Sequence, residues 1–352
     1  MLHYFLDFLY SNNSFSTVHN LFNYISVRSA LAIIFSLFIT IYFGRSIISF
    51  LQKKQVKDKT RHLGLNGELE KEGTPTMGGI IIITGVLVPT LLFCRLNNIY
   101  VQIMLITTIW MALIGFLDDY IKVFKKDKKG LAGKFKIIGQ VVLGLIISTT
   151  MFFHPDILIQ EESNSIKESV MAVDFEAGNL ELYSSEEMKK SLTTTIPFFK
   201  NNQLDYADLV FGKFSSLFFV FLVFSFIIIF IISGVSNSAN LTDGIDGLAT
   251  GVSAIIGATL AVFCYVSGNQ IFSDYLDIMY IPDIGELVIF MSAFMGSCVG
   301  FLWYNSFPAQ IFMGDTGSLS LGAIIAVCAI AIRKELMIPI FCGIFFLETL
   351  SV

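Results

Sequence analysis

The sequence predicts an all-α protein that crosses a membrane many times. Of its 352 residues, 54% are apolar and only 14% are charged, whereas about 25% of the residues in a soluble domain are charged. Mean hydropathy is +0.72. Apolar segments recur along the chain at about the length of 20 residues that a helix needs to cross a hydrocarbon core of about 30 Å. The surface of such a chain faces lipid more than water.

Nine apolar segments are predicted as transmembrane helices, and basic residues set their direction. The connections 45–71 and 122–136 each hold seven Lys and Arg. Both follow odd-numbered segments, so they share one side, which is the cytoplasm by the positive-inside rule. The N-terminus is then periplasmic, and the protein is expected to be a multi-pass protein of the bacterial inner membrane. The segments are 21–51, 76–95, 99–118, 135–153, 214–234, 245–267, 286–304, 317–332 and 336–352.

The chain divides into three regions. Residues 1–153 hold the first four predicted helices with two basic cytoplasmic loops, and residues 214–352 hold the last five with Asp-rich loops. Between them, residues 154–213 carry eleven acidic residues against five Lys, and the helix count places them in the periplasm. Either a small ordered appendage or a flexible loop fits this segment, and it shows no chemistry of its own.

Composition excludes several classes of function. A net charge of −5 does not fit a nucleic-acid partner. The five Cys form no C-x-x-C pair and the four His form no H-E-x-x-H motif, so neither zinc nor a disulfide framework is expected. No Walker A sequence is present, which excludes a P-loop ATPase. The N-terminus lacks the basic start of a cleavable signal peptide.

Asp118 and Asp119 close the third predicted helix, on the cytoplasmic side. Two carboxylates at the negative end of a helix dipole are unfavourable, so cations should compensate them. Lys122 and Lys126 follow at helical spacing and share a face with them if the helix continues. The alternative is a solvated interfacial pair. Adjacent helical residues point about 100° apart, so the two Asp are expected to have different roles.

A second polar group opens the sixth predicted helix in Asn240-Leu-Thr-Asp-Gly-Ile-Asp-Gly. Asn240, Asp243 and Asp246 recur at i, i+3 and i+6, which predicts one helical face. Gly244 would allow close approach of a ligand, and a helix N-terminus favours anions. An N-cap followed by first-turn acids explains one of these Asp well and two poorly.

Two further loops carry polar motifs on the same side. The connection from Asn305 to Ser318 contains Phe312 and Asp315; Asp315 fits a helix cap, and Phe312 fits either base stacking or packing. The run Lys71-Glu-Gly-Thr-Pro-Thr-Met-Gly-Gly, which includes Thr76, enters the second helix, where Lys and a glycine-rich helix start could hold phosphate. Alone, that Lys also fits ordinary positive-inside charge.

These groups converge on one membrane face. Asp-rich loops without His or Cys fit Mg²⁺ better than zinc, because Mg²⁺ binds through one or two carboxylates together with substrate phosphates. The residues therefore predict phosphoryl transfer at the cytoplasmic interface.

The motifs resemble those of the MraY family, the phospho-N-acetylmuramoyl-pentapeptide transferases, over nearly the whole chain. The matching runs are KEGTPTMGG (71–79), GFLDDY (115–120), NLTDGIDGLA (240–249) and FMGDTGS (312–318). The resemblance implies transfer of phospho-MurNAc-pentapeptide from UDP-MurNAc-pentapeptide to undecaprenyl phosphate, which gives lipid I and UMP with Mg²⁺. It also implies ten spans and a homodimer.

Site residues follow from the resemblance by position. Asp118, Asp119, Asp243 and Asp315 match catalytic acids, with Asp315 as the Mg²⁺ ligand and one of the first pair acting on the lipid phosphate. The substrate-binding candidates are basic or polar residues near the phosphates and a uridine set with Phe312 under the base. They are Lys71, Thr76, Lys122, Lys126, Lys134, Asn240, Gly244, Ile245, Asp246, Asn305 and Phe312. Ile245 stands where many family members have Leu.

Two departures from the family pattern stand out. The family continues with a His-bearing cytoplasmic loop and a tenth span, whereas this sequence ends at Val352 inside the ninth, which predicts a fragment or a truncated product. The acidic segment 154–213 is longer than the link in most members.

Three alternatives remain at this point. A WecA-type transferase acting on UDP-GlcNAc shares the aspartates. A secondary transporter would place ionisable groups near the bilayer midplane, often within inverted repeats, and neither feature is present. An inactive structural membrane protein is the third. Whether the lipid phosphate attacks directly or through a covalent aspartyl intermediate is open.

Overall fold

The computed structural model describes residues 16–53, 74–125, 127, 130–158, 192–198, 203–209 and 217–351. Helices make up most of these residues. They are α1 (Ser16–Asn23), α2 (Ile25–Lys53), α3 (Gly79–Phe93), α4 (Ile99–Phe124), α5 (Gly133–Phe153), α6 (Leu217–Thr242), α7 (Leu248–Ser267), α8 (Gln270–Leu276), α9 (Glu286–Asn305), α10 (Asp315–Ala331), α11 (Ile338–Phe341) and α12 (Gly343–Ser351). Two strands, β1 (Thr193–Thr195) and β2 (Gln203–Asp205), and two 3₁₀ turns, Tyr206–Leu209 and Glu335–Met337, complete the described part.

Six helices are long and apolar enough to cross a membrane, namely α2, α4, α5, α6, α7 and α9. Two shorter apolar helices, α3 and α10, have 15 and 17 residues. This pattern confirms a polytopic helical membrane protein. The predicted count of nine spans and the side that each loop faces stay predictions.

Two helices extend further than hydropathy predicted. Helix α4 continues six residues past Asp118 to Phe124, and α6 continues to Thr242 rather than ending near residue 234. The added turns contain polar residues such as Ser236 and Ser238, which are buried against other helices. Hydropathy alone ends a helix at polar residues, but these side chains face the protein interior and not lipid.

The predicted ninth span is not one continuous helix. Over 336–352 the chain forms the 3₁₀ turn, the single turn α11 and then α12, which begins at Gly343. Pro339 lies near the start of α11, where its missing N–H costs no hydrogen bond. Cys342, with φ −98° and ψ 20°, then separates α11 from α12.

Helix α10 lies at the centre of the fold. All of its residues except Asp315 are buried, and it packs against α4 on one side and α6 on the other. Glycines allow these approaches: a Cβ on Gly115 would collide with the carbonyl oxygen of Asp315, and one on Gly79 would collide with the amide nitrogen of Gly317. Small residues at crossings are the usual device for close helix packing in membranes.

Within segment 154–213, residues 192–198 and 203–209 form a small hairpin that docks at the far end of α10. Strands β1 and β2 pair antiparallel. The Thr195 N–H donates to the carbonyl of Arg333 at 3.1 Å, and Lys334 Nζ donates to Thr195 Oγ1 at 2.6 Å. Tyr206 Oη donates to Glu335 at 2.6 Å. Burial lowers the pKa of Lys334 to about 8. This much of the segment is an ordered appendage, at the opposite end of α10 from Asp315.

Gly115→Ala tests the α4–α10 crossing. The added methyl meets backbone, so the two helices must separate, and the free energy of unfolding should fall by about 1–3 kcal/mol. Gly251→Ala is the matched control, since Gly251 is helical and a Cβ built there would have no atom of another element within 4 Å. Thermal unfolding in detergent measures both. Equal midpoint temperatures for the two variants would contradict the crossing described above.

Candidate active site

Three aspartates that are distant in sequence meet at one point. One carboxylate oxygen from each of Asp118, Asp119 and Asp315 lies within 4.8 Å of the others. The first two come from the last turns of α4, and the third is the first residue of α10. The Gly115 crossing brings these helix ends together, so the site is built on rigid elements rather than on loops.

Asp119 is the N-terminal cap of α10, supplied by another helix. Its Oδ1 accepts from the Asp315 N–H at 3.0 Å, and its Oδ2 accepts from the Thr316 N–H at 2.9 Å and Thr316 Oγ1 at 2.6 Å. These N–H groups have no partner within their own helix, and the helix dipole favours a negative charge there. Gly314 (φ +74°) precedes them, and a Cβ there would lie 2.7 Å from Asp119 Oδ2.

Asp118 has different partners. Lys122 Nζ lies 2.5 Å from its Oδ2, one helical turn along α4, and Lys136 Nζ lies 3.1 Å from its Oδ1. The Leu131 N–H donates to the same Oδ1 at 2.7 Å. Asp118 therefore faces cations, whereas Asp119 faces helix amides.

Both lysines also contact Asp315. Lys122 Nζ lies 3.2 Å from Asp315 Oδ2, and Lys136 forms a short ion pair with the same oxygen. Two ammonium groups thus bridge Asp118 and Asp315, and three carboxylates carry one more charge than the two lysines neutralise. Buried carboxylates at this spacing require such compensation.

Lys136 was absent from the predicted set, which named Lys134. The structure places the Lys134 ammonium 5.4 Å from the ring centre of its neighbour Phe135, on the exposed side of α5. Helical periodicity could have pointed to Lys136, because it shares a face with Gln140, Leu143 and Ile147, which are buried residues of α5. The substrate role predicted for Lys134 stays a prediction.

Asn240 and Asp243 adjoin the cluster from the end of α6. Asn240 Nδ2 donates to Asp315 Oδ1 at 3.0 Å and to Ser318 Oγ at 2.8 Å. The Asp243 carboxylate accepts from the Gly314 N–H, and burial, reinforced by the charges of Asp315 and Asp119, raises the pKa of Asp243 well above its usual range. Asp243 is thus a neighbour of the three-aspartate group and not one of its members.

The prediction that Asn240, Asp243 and Asp246 share one helical face is wrong. Helix α6 ends at Thr242 and α7 begins at Leu248, so the three lie along a turn between helices. Gly247, with φ +75°, reverses the chain there. Asp246 Oδ2 instead accepts from the Ala309 N–H at 3.2 Å, in the loop after α9.

Asn305 links the loop after α9 to the turn before α7 and to the start of α7. Its Oδ1 accepts from the Gly247 N–H at 3.1 Å and Thr250 Oγ1 at 3.2 Å, and its Nδ2 donates to the Ile311 carbonyl at 3.0 Å. All three contacts are within the protein, and Asn305 is 3% exposed. In this structure it orients the loop that carries Phe312 and does not reach the aspartate cluster.

The glycine-rich entry to α3 packs against the motif that begins α10. The Gly78 and Gly79 N–H groups donate to the carbonyls of Phe312 and Met313 at 2.9 and 2.7 Å, and the Phe312 N–H donates to Pro75 at 2.9 Å. The idea that these glycine amides hold phosphate is therefore wrong, because they are already used.

The remaining predicted residues divide by exposure. Gly244 and Ile245 are exposed, Ile245 at 57%, and Thr76 and Phe312 are half-buried. They border the turn and loop just described and are open to a ligand. Lys71 and Lys126 lie outside the described residues.

The three-aspartate group fits a divalent cation. Ligands on opposite sides of an Mg²⁺ ion lie about 4 Å apart, close to the 4.8 Å limit of the oxygens here. Within the described part of the chain the grouping holds carboxylates alone, which suits a hard cation. Asp315 would hold the ion, because Asp119 accepts from helix amides and both oxygens of Asp118 face lysines.

The site at the helix ends of this integral membrane protein thus carries one net negative charge and two ammonium groups. Residues 187–333 match the family described as glycosyl transferase family 4, which gives the class. Residues 71–83 match phospho-N-acetylmuramoyl-pentapeptide-transferase signature 1.

Curated relatives with that printed name cover the whole chain. The chain is 56% identical to the phospho-N-acetylmuramoyl-pentapeptide-transferase of Flavobacterium psychrophilum over 353 residues, 85% of the relative. Identity is 55% over 354 residues, again 85% of the relative, for Amoebophilus asiaticus, and 49% over 354 residues, 82% of the relative, for Porphyromonas gingivalis. The chain belongs to the phospho-N-acetylmuramoyl-pentapeptide-transferase family.

Lys136→Met should destabilise the protein and Lys134→Met should not. Removing the Lys136 ammonium leaves three clustered carboxylates facing Lys122 alone, at a cost of about 3 kcal/mol. The Lys134 ammonium has no such partner among the described contacts, so its variant should unfold at the wild-type temperature. Thermal unfolding without divalent cations measures both, and added Mg²⁺ should recover part of the Lys136→Met loss. Equal effects would refute the assignment of Lys136.

Proposed function

We propose that this chain transfers phospho-MurNAc-pentapeptide from UDP-MurNAc-pentapeptide to undecaprenyl phosphate, giving lipid I and UMP. Membership of the family supports the reaction. The meeting of Asp118, Asp119 and Asp315 with two lysines is the structural observation that carries it, because both substrates are anions and charge neutralisation dominates their approach.

The reaction moves one phosphoryl group. An oxygen of the carrier's phosphate bonds to the β-phosphorus of the nucleotide sugar, the bond from that phosphorus to the bridging oxygen breaks, and its electrons leave with UMP. The chain's task is to bring two polyanions into line. Lys122 and Lys136 lie between Asp118 and Asp315, where their ammonium groups can turn from carboxylate to phosphate oxygens.

Mg²⁺ is the proposed cofactor, and Asp315 would hold it. When bound, it polarises the diphosphate and stabilises the leaving UMP. Asn240 orients the Asp315 carboxylate through its 3.0 Å hydrogen bond to Oδ1, and Oδ2, which Lys122 and Lys136 contact, would exchange an ammonium group for the cation. Asp119 fixes the start of α10 and thereby the position of Asp315.

The contacts of the carboxylates favour direct attack by the carrier phosphate. Both oxygens of Asp119 accept hydrogen bonds from α10, so neither is free to act as a nucleophile. Asp118 is held by Lys122 and Lys136. We assign to Asp118 the acceptance of the proton from the carrier phosphate, and to Asp243 the support of the loop at Gly314.

The uridine end of the donor is assigned to the exposed border of the site. Gly244, Ile245 and Asp246 lie in the turn before α7, and Phe312 lies in the adjoining loop. The Asp246–Ala309 hydrogen bond and Asn305 hold this turn and this loop next to each other. Lys71, Thr76, Lys126 and Lys134 complete the proposed substrate set.

The orientation proposed for the protein follows from the basic loops. The site faces the cytoplasm, and the hairpin at the far end of α10 faces the periplasm, in the inner membrane of a bacterium. The opposite placement of hairpin and aspartates along α10 supports this arrangement. A homodimer is part of the same proposal and rests on the family resemblance.

The donor assay separates this function from a WecA-type activity. Solubilised protein with undecaprenyl phosphate and Mg²⁺ should form labelled lipid from UDP-MurNAc-pentapeptide and release UMP. Labelled UDP-GlcNAc should give less than about a hundredth of that rate, because a site built for a larger polar donor leaves buried groups unpaired with a smaller one. Equal use of UDP-GlcNAc would contradict the assignment.

Asp315→Asn should lower kcat by at least about a hundredfold at saturating Mg²⁺. The amide lacks the charge that holds the cation and pairs with Lys136. Mg²⁺ titration of thermal stability supplies a second readout: the wild type should gain stability with Mg²⁺ and the variant should gain much less. Near-normal turnover by Asp315→Asn would show that the cation is held elsewhere.

A further inference from the structure

We infer that Gln140 and Asn237 are positioning residues, which hold the Lys136 ammonium at the aspartate cluster through a paired amide contact between α5 and α6. The inference rests on the proposed function, because it concerns a lysine of that site. Neither residue touches the aspartates, and neither was singled out by the sequence.

The two side chains form a reciprocal pair. Gln140 Nε2 donates to Asn237 Oδ1 at 3.1 Å, and Asn237 Nδ2 donates to Gln140 Oε1 at 3.1 Å. Asn237 Nδ2 also donates to the Ser233 carbonyl of its own helix at 2.9 Å, which fixes the amide orientation. Gln140 is fully buried. An unpaired amide inside a membrane protein is costly, so the two groups hold each other in one geometry.

Just before α5, the Leu131 N–H is held by Asp118 Oδ1 at 2.7 Å, but the first turn of the helix itself makes few contacts. Its N-cap residue, Ala132, makes no side-chain hydrogen bond, and no atom lies within 4 Å of a Cβ built on Gly133. Residues 132–138 are exposed apart from Lys136, and the first buried residues are Gly139 and Gln140. The placement of Lys136 is therefore decided one turn further along the helix.

At Gly139 and Gln140, α5 forms hydrogen bonds to both of its neighbouring helices, α4 and α6. Trp110 Nε1 on α4 donates to the Gly139 carbonyl at 2.9 Å, and the amide pair ties the next residue to α6. Lys136 lies four residues before Gln140, on the same helical face. Asn237 lies three residues before Asn240, which bonds Asp315. The amide pair therefore joins the lysine and the asparagine that meet at Asp315 from opposite sides.

The experiment compares kcat, KM and thermal midpoint for full-length variants in the lipid I assay. The size-matched apolar pair Gln140→Met/Asn237→Leu removes both hydrogen bonds without leaving a lone amide. It should lower kcat about tenfold, with each KM changed less than about twofold. The exchanged pair Gln140→Asn/Asn237→Gln keeps both amides and should recover kcat to within about threefold of wild type.

Combining the apolar pair with Lys136→Met distinguishes a positioning role from a general weakening of helix packing. In a Lys136→Met background the apolar pair should cause no further loss of kcat, because no ammonium remains to be placed. Ser36→Ala, which removes the 2.7 Å interhelical hydrogen bond to Ala293 remote from the site, is the matched control and should turn over at the wild-type rate.

Two results would overturn the inference. The first is a wild-type kcat in the apolar pair, and the second is a further fall of kcat when the apolar pair is added to Lys136→Met. If the apolar pair does not fold, Trp110→Phe is tested instead, because it removes the hydrogen bond from α4 to the Gly139 carbonyl. This variant must then lower kcat about tenfold in the wild type and cause no further loss in the Lys136→Met background. If wild type and Ser36→Ala form no lipid product, the proposed function fails and not the positioning role.

Discussion

The capping of α10 by Asp119 is the contact on which the rest of the site depends. A carboxylate on one helix satisfies the first amides of another, so its charge is compensated by three donors and by the helix dipole. Because Asp119 is occupied in this way, Asp315 and Asp118 are left to face the two lysines. The glycines at 115 and 314 follow from the same contact, since a side chain at either would separate the two helices.

The sequence predicted the membrane class and the chemistry well, because both depend on composition and on motifs. The low fraction of charged residues and the repeated apolar segments predict a protein that lies in lipid, and the six long apolar helices confirm this class. The convergence of Asp118, Asp119 and Asp315 came from sidedness and family resemblance, and the structure brings these three together. Hydropathy failed where polar residues face the interior, as in the last turns of α6, and where short helices interrupt the predicted ninth span.

Another error came from treating a motif as if all of its residues served the substrate, because the glycines at 78 and 79 serve packing against α10. Asn305 shapes a loop, and its predicted substrate role stays a prediction. Lys136 was missed because its motif neighbour Lys134 drew the prediction, although the buried face of α5 distinguishes them. Interhelical contacts such as Gln140–Asn237 could not be predicted, because a single sequence gives no sign of which membrane-embedded amides meet.

The two lysines between Asp118 and Asp315 have a consequence for how the protein is made. They act as built-in counter-ions, so the carboxylates can come together while the helices assemble in the bilayer, before any divalent ion arrives. Assembly of the cluster therefore does not require a bound ion. The shape of the cluster is thus a property of the folded chain itself.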